Sequence, residues 1–582
     1  MRTKTRLVTP EDKFYVWWQQ AVDVSSEFFN WAERAYAYYD GDQWSPEDKA
    51  ALEAVGQPAI VINHIRGKIN HLVGVAAQQD ISIRCKPRGK ADADLAFVAS
   101  CVLDYIQDVN DWRTADIRAF KDSVITGLGW LEARKGLTLF RDPIKVGWVD
   151  YREILVDPYA KEPSYEDARF LFRYRWLDED AAVEMFPEAK NIIENVGYSY
   201  RTSFFDRAVD VLPLKLTEGW YDRRRKRVLL VELQYKQFEN CLVFWDGMRA
   251  QPYSSRLHDA AVRLGKGWVL KMRLPRVRVA FLVGPYVIFD EPSPYLHGRF
   301  WYIPYICYVN RKGVPYGVVR NLIDPQDEIN KRRSKALHYL TARRVLAEDD
   351  AIDDPDAFME ELASPDAFLT YRRGYNVQIE NDMQLGREHF AIMQEAANEM
   401  QQISGIYPDA FGQPTNARTG VAIQTRTANT QASLADIFSN RLTAIKALGE
   451  IELALAKQFY TPDFVAQIID DNPQAMSASL RVQRNPEGEI ILRNDIASLD
   501  ADISVEVGPS VNERRLAMTQ LVELMKSMPP EAAILMLDMV VDLSDVKDKD
   551  NIKQRLAIVQ QALLQRLTTG GQNNEDTRGN NP

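Results

Sequence analysis

Cysteine and histidine are scarce in this chain of 582 residues, with four of the former and six of the latter. Cys85, Cys101, Cys241 and Cys307 lie far apart and form no CxxC pair. That spacing argues against a disulfide framework and fits incidental thiols in a reducing compartment. The histidines (His64, His71, His258, His297, His338 and His389) form no HExxH and no zinc-type cluster with the cysteines. A GxxxxGK[ST] loop, needed to cradle nucleotide phosphates, is missing, since Gly265-Lys266-Gly267 has neither the loop nor the hydroxyl. A GxSxG nucleophile elbow is missing as well. No apolar run approaches the ~18 residues of a membrane span. The densest candidate, AAILMLDMVVDL at 532–543, is interrupted by Asp538 and Asp542 and reads as a buried or partner-facing helix. The opening residues MRTKTRLVTPEDKF carry charge without an apolar core, so no secretory signal is expected and the protein should be soluble when made.

What is present is an ordinary folded composition, 46% hydrophobic and 26% charged, too apolar for a disordered chain. At ~150 residues per domain the length allows about four domains. The 72 basic and 82 acidic side chains leave a net charge of −10, which argues against a positive coat wrapping nucleic acid and leaves room for a local basic patch.

Texture divides the chain into regions. Residues 14–40 (FYVWWQQAVDVSSEFFNWAERAYAYYD) space aromatics by three and four, predicting a helix that Gly41 ends and an aromatic core. Further helices are expected at about 63–79 and through 91–127. From 128 to 320, short β-branched and aromatic runs such as RVLLVELQYK and RVRVAFLVG alternate with turns and predict strands, with helical interludes at 178–195 and 254–264. Asp324-Pro325 reads as an N-cap opening a helix to about 346. A helix at 386–403 follows, then a loop. A long helix at 418–460 would span ~60 Å, its likeliest kink at Thr425, Thr427, Asn429 and Thr430. A small β insert is expected at 478–508, helices at 512–527, 530–541 and 551–568, and a flexible polar tail at 569–582. No repeat of 20–50 residues is visible.

Three charged clusters could carry chemistry. EDDAIDDPD at 348–356 could hold a metal but reads first as a solvated loop. YDRRRKR, with Arg223, Arg224, Arg225, Lys226 and Arg227, reads first as a turn before a strand. In the third, Lys331, Arg332, Arg333, Lys335, Arg343 and Arg344 follow Asp324 on one expected helix. Lys331 and Lys335 share a stripe there, and Arg343 comes roughly one turn further along it. Such a stripe could touch phosphate or pair with acids of a neighbouring subunit.

YYDGDQW (38–44) followed by GQPAIVINHIRGKINHLVGV (56–75) resembles the amino-terminal region of portal proteins of short-tailed, podovirus-type bacteriophages. In the same order come VITGLGWLEAR (124–134), EILVDPYAKEPSYEDARFLF (153–172), GVPYGVVRNLIDPQDEINKRRSKALHYL (313–340) and ISGIYPDAFGQPTNARTGVAIQTR (403–426). The resemblance implies an α+β, elongated subunit with wing, helical stem, β-rich clip and helical crown, one unit of a ring, usually twelve-membered, with a central channel. Carried onto this chain, it implies a first wing part at 1–249, a descending stem helix at 250–267, a clip at 268–312 and an ascending stem helix at 313–346. The second wing part, with the kinked helix, would occupy 347–510, and the crown 511–568. The implied function is a conduit for double-stranded DNA at the unique capsid vertex, in packaging and ejection, and a platform for the tail. The resemblance further implies no enzymatic activity and no cofactor or metal. The implied partners are further copies of itself, DNA, the terminase large subunit, a tail adaptor, scaffolding and major capsid proteins, and no membrane. The protein would be made in the host cytoplasm and end in the virion. Lys331, Arg332, Lys335 and Arg343 are the candidate channel or inter-subunit contacts. A nucleic-acid-processing enzyme with a carboxylate metal site, or another head–tail ring component, stays open as an alternative.

Overall fold

The computed structural model describes residues 5–560 apart from 10–11, 89–92, 137–142, 200–219, 248–249, 254, 342, 363, 365, 382, 407–419, 462–463, 466–467, 469–481, 485–489, 493–495, 497–498, 500, 509–510, 530–532, 535, 544–551 and 553–554. Packing separates two units, residues 1–73 with 83–504, and residues 74–82 with 505–582.

In the first unit β1 (Arg6–Leu7) leads into α1 (Lys13–Asp40). The Asp12 carboxylate accepts the Phe14 N–H at 3.0 Å, and Gly41 ends the helix at φ 109° with its N–H on Ala37 O. The chain continues through α2 (Pro46–Ala54), α3 (His64–Gln78), β2 (Ile81–Pro87), α4 (Ala93–Asn110) and α5 (Trp112–Thr126). The helical stretch expected at 91–127 is two helices because Asp111 turns the chain at φ 48°. Then come β3 (Leu128–Lys135), β4 (Ile144–Val149), β5 (Ile154–Val156), β6 (Phe170–Asp178), α6 (Glu179–Met185), α7 (Lys190–Ser199), β7 (Tyr221–Asp222), β8 (Arg227–Trp245), β9 (Ala250–Pro252) and α8 (Ser255–Arg263). β10 (Trp268–Val283), β11 (Tyr286–Pro292), β12 (Tyr302–Ile306), β13 (Tyr308–Val309) and β14 (Pro315–Tyr316) precede α9 (Ile323–Thr341). After it follow β15 (Arg343–Ala347), α10 (Pro355–Leu362), β16 (Val377–Asn381), α11 (Met383–Ser404) and α12 (Gly420–Phe459). Short β17 (Val482–Arg484) and β18 (Ile490–Leu492) pair with each other, and β19 (Ala501–Val507) comes last.

The main sheet is antiparallel, in the order β1-β11-β10-β8-β6-β5, with β7 and β9 also on β8. Helix α1 lies on it through aromatic rings. Trp17 stacks on Phe170 at 4.8 Å, Trp18 stands edge-on to Phe172 at 5.2 Å, and Phe14 stands edge-on to Tyr235 at 5.1 Å. Each such pair adds about 0.5–1.5 kcal/mol to the area it buries, so the aromatic density of 14–40 is core.

Strand pairing corrects two expected regions. β10 runs beside β8 in unbroken register, from Trp268↔Trp245 to Val283↔Leu230, and β12 pairs with β3. Residues 268–312 therefore form no separate β module, because their ladder partners lie in the sheets of the first part of the chain. Residues 250–267, expected as a stem helix, hold a strand paired to β8 and the nine-residue α8.

Close backbone approach explains two of the glycine-bearing motifs. A Cβ on Gly129 would stand 2.0 Å from Ala119 O, and one on Gly317 would stand 2.3 Å from Ile125 O. Only glycine lets β3 and the chain after β14 press against α5.

The long helix expected at 418–460 is one continuous helix of 40 residues. It is held by a buried ion pair, Arg441 Nη2 to Asp116 Oδ2 at 2.5 Å, while Tyr305 donates its hydroxyl to the same carboxylate at 2.9 Å. In the second unit α13 (Val511–Lys526) packs on α14 (Leu537–Leu543), and the Gly508 N–H donates to Asp80 O at 2.7 Å. The tail at 569–582 and most of the helix expected at 551–568 lie outside the described residues.

Glu452 of α12 is fully buried, and its polar partner is Gln107 of α4, whose Nε2 donates to Oε2 at 3.2 Å. Burial pushes its carboxyl from the ordinary 4.5 up to about 8, so it is held protonated at neutral pH. The unfolded chain ionises this group above about 4.5, so its contribution to stability is full below that pH and is lost as pH rises to about 8. Glu452→Gln should therefore raise the thermal unfolding midpoint at pH 9 and leave it unchanged at pH 4.5. Equal shifts at both pH values would show that ionisation of this carboxyl does not govern the effect.

Candidate functional site

Between α2 and α3 the chain at 55–63 has no regular structure, so its backbone polar groups must find partners elsewhere. The first N–H groups turn back onto α2 and Ile60 N–H onto Pro58 O, while the groups nearest α3 find partners in α9. Gln326, Asn330 and Ser334, four residues apart, make one buried polar stripe with 0%, 2% and 0% exposure. The His64 N–H donates to Gln326 Oε1 at 3.0 Å, Gln326 Nε2 donates to Ile62 O at 2.7 Å, and the Ile62 N–H donates to Asn330 Oδ1 at 3.0 Å. One turn on, Gln57 Nε2 donates to Ser334 Oγ at 2.9 Å, and that hydroxyl donates to Pro58 O. Asn330 Nδ2 donates to the buried Gln43, which holds Tyr38 O at the end of α1 at 2.9 Å. Asn63 Nδ2 caps Tyr39 O at 2.9 Å. The Tyr38 hydroxyl donates to Asp327, and burial first, then this bond, push its pKa up to about 12. The motifs at 38–44, 56–75 and 313–340 thus meet in one hydrogen-bonded joint at the root of α9.

From that joint α9 runs to Thr341, and α11 returns antiparallel beside it. β15 and β16 pair at the far end, from Arg343↔Asn381 to Ala347↔Val377. The helix starts at Ile323, directly after a 3₁₀ turn over Val318–Leu322, so Asp324 sits in its first turn and is not the N-cap.

The predicted basic residues separate in this frame. Lys331 and Lys335 are exposed on α9, each one residue on from a member of the polar stripe and so about a third of the way round the helix from it. Arg332 is half-buried, ion-paired to Glu328 at 3.1 Å and 3.3 Å from Nδ1 of His389 on α11. His389 stacks on Tyr339 at 5.6 Å, and its pKa is lowered by slight burial first, then by Arg332 and Lys335. Arg343 does not join them. The run Arg343–Ala347 leaves the helix to pair with Val377–Asn381, where its Val and Leu suit a ladder better than a last helical turn.

The other clusters have local roles. Asp222 Oδ1 accepts the N–H groups of Arg224 at 3.0 Å and Arg225 at 3.1 Å, so YDRRRKR is the turn between β7 and β8. In the acidic run, Asp354 accepts the N–H groups of Asp356 and Ala357 at the start of α10, and Asp353 pairs with Arg372. Among the described residues, no group of three His, Cys, Asp or Glu stands close enough to hold a metal.

Helices, joint and hairpin all lie within a stretch that matches a family model, the phage P22-like portal protein, over residues 15–577. The chain belongs to the P22-like phage portal protein family. Among relatives of this portal chain, the portal protein of Helicobacter pylori bacteriophage KHP30 is 20% identical over 464 residues, 78% of this chain and 66% of the relative. The portal protein of Acyrthosiphon pisum secondary endosymbiont phage 1 is 22% identical over 540 residues, 85% of this chain and 72% of the relative. The chain therefore spans about two thirds of the length of the first and somewhat more of the second.

The joint was not legible in the portal sequence, because Gln, Asn and Ser at a helical spacing look like a solvated face. The one available signal was their i, i+4, i+8 register beside two lysines. Replacing Gln326 by Leu leaves the His64 N–H and Ile62 O, both partly exposed, without their partner, at about 0.5–1.5 kcal/mol for each hydrogen bond lost. The expected outcome is a loss of stability of that order in denaturant titration, with faster hydrogen exchange at the His64 amide. Exchange unchanged at His64 would show that the joint does not hold this segment.

Proposed function

We propose that this portal protein forms the ring at the unique capsid vertex through which double-stranded DNA enters during terminase-driven packaging and leaves at ejection, and to which the tail attaches. The observation that carries the reading is the α9–α11 hairpin. It is rooted by neutral amides in the body of the subunit, carries exposed Lys331 and Lys335 along its length, and ends in a strand pair. A stem in the family's sense needs two helices and a β tip, and α9, α11 and residues 342–382 supply them. We accordingly assign the stem to α9 and α11 and the clip to 342–382, in place of 250–267, 313–346 and 268–312. Residues 511–568 are assigned to the crown. Copies of this chain, most simply twelve, make the ring. The terminase large subunit and later a tail adaptor meet the clip, with scaffolding and major capsid proteins around the wing.

The electrostatics suit transport. A chain of net charge −10 grips DNA weakly as a whole, while a few lysines on a stem keep the duplex centred without holding it. Lys331, Arg332 and Lys335 are assigned to the channel or to an adjacent stem, with Arg343 at the junction of stem and clip.

Electron micrographs of the purified protein should show rings with a central hole; monomers with metal-dependent nuclease activity would contradict the reading. Reversing both charges, Lys331→Glu with Lys335→Glu, should lower packaged DNA per capsid or the yield of rings. Wild-type values in both assays would remove these residues from the proposal.

A further inference from the structure

A second cationic feature lies where α11 returns to the body of the subunit. A cleft of about 580 Å³ opens between α3, the segment before it, α9 and α11, lined among others by His64, Lys68, Arg333, Gln394 and Gln401. Among the described residues, none that lines it carries a carboxylate, in a chain whose acids outnumber its bases.

Lys68 is the decisive group. It is 6% exposed, and its Nζ donates to Ser404 Oγ at 2.9 Å and Ile406 O at 3.2 Å. Both acceptors are neutral, and an ammonium has three hydrogens to place. Among the described residues it has no counter-ion. A buried charge left so is costly, and a neutral donor in the same place would avoid that cost. Arg333, on α9, enters the same cleft with its guanidinium 5.0 Å from the centre of the Phe390 ring and no ion pair among the described residues. An ammonium and a planar guanidinium with amide donors beside them are the groups that bind a tetrahedral oxyanion.

We propose that this cleft is an anion site for a phosphate group, supplied either by free phosphate or by a phosphodiester of the DNA in passage. The proposal rests on the portal reading only for its second source. Filling the site neutralises Lys68 and ties α3 to the carboxyl end of α11, next to residues 407–419.

Burial alone lowers the Lys68 pKa to about 8, and a bound anion must raise it again. Among the described residues, the other titratable groups near the cleft are Arg333 on α9 and His64 and His71 on α3; the described lining residues of α11 carry no charge. Burial first, then Lys68, hold both histidines below the ordinary 6.5, so they stay neutral above pH 7. Sulfate keeps a constant charge over this range and is the cleaner probe.

The test is calorimetric titration of assembled rings with sulfate, phosphate and a short DNA duplex, at ionic strength matched with chloride. Wild-type rings should bind sulfate saturably, with affinity falling about tenfold from pH 7 to pH 9 as Lys68 loses its proton. Arg333→Gln, which leaves the buried bonds of Lys68 in place, and Lys68→Met should each abolish binding. Competition between duplex and sulfate identifies the phosphodiester as the source, and sulfate binding without competition identifies free phosphate. Absence of a saturable effect beyond chloride, or an unchanged one in Arg333→Gln, overturns the site. Micrographs of the same samples report rings separately, so intact rings without anion binding sink this inference and leave the portal reading standing.

Discussion

A row of three neutral side chains, Gln326, Asn330 and Ser334, sets where α9 points, and with it the hairpin assigned as the stem. The segment at 55–63 satisfies only part of its own backbone, and these side chains give the rest both donors and acceptors. Amides suit the position better than charges. Each bond contributes only about 0.5–1.5 kcal/mol net, but a mismatch costs about 1–3 kcal/mol, so a shifted register of α9 would be heavily penalised. The joint is therefore specific rather than merely strong. It fixes the helix in rotation as well as in position, which keeps Lys331 and Lys335 on the exposed side.

Much else in the first unit serves to hold that joint still. The aromatic face of α1 locks the helix whose end supplies Tyr38 and Gln43 onto the main sheet. The buried Arg441–Asp116 pair fastens α12 to α5. Such a pair is weak evidence for stability, because desolvation offsets much of the attraction, but it specifies one arrangement of the two helices. Glu452 follows the same logic without a cation, kept neutral by burial and so dependent on pH.

Local signals in the sequence were legible where periodicity and burial agree. The helix of 14–40 with its glycine stop, the strands of 128–320 and the long helix near 418–460 follow from spacing and turn residues alone. Pairing partners do not. β10 looks like an independent strand because its first residues, Trp268 to Met272, are exposed, and nothing local names β8 as its partner. Arg343 reads as helical in the sequence because helix and strand compete closely in Arg-Arg-Val-Leu, and the partner that decides lies far along the chain, at Val377–Asn381. Lys331 and Lys335 could be placed because charges rarely bury, whereas the stripe beside them needed the structure.

Assigning α9 and α11 as the channel-facing stem is the central claim. Its most direct measurement is photocrosslinking in complexes stalled during packaging, with a photoreactive residue placed singly at position 331 or 335 on α9, or at 190 on α7. The account predicts crosslinks to DNA from the α9 positions and none from α7. Crosslinks from α7 alone, with α9 silent in complexes that still hold DNA, would contradict it.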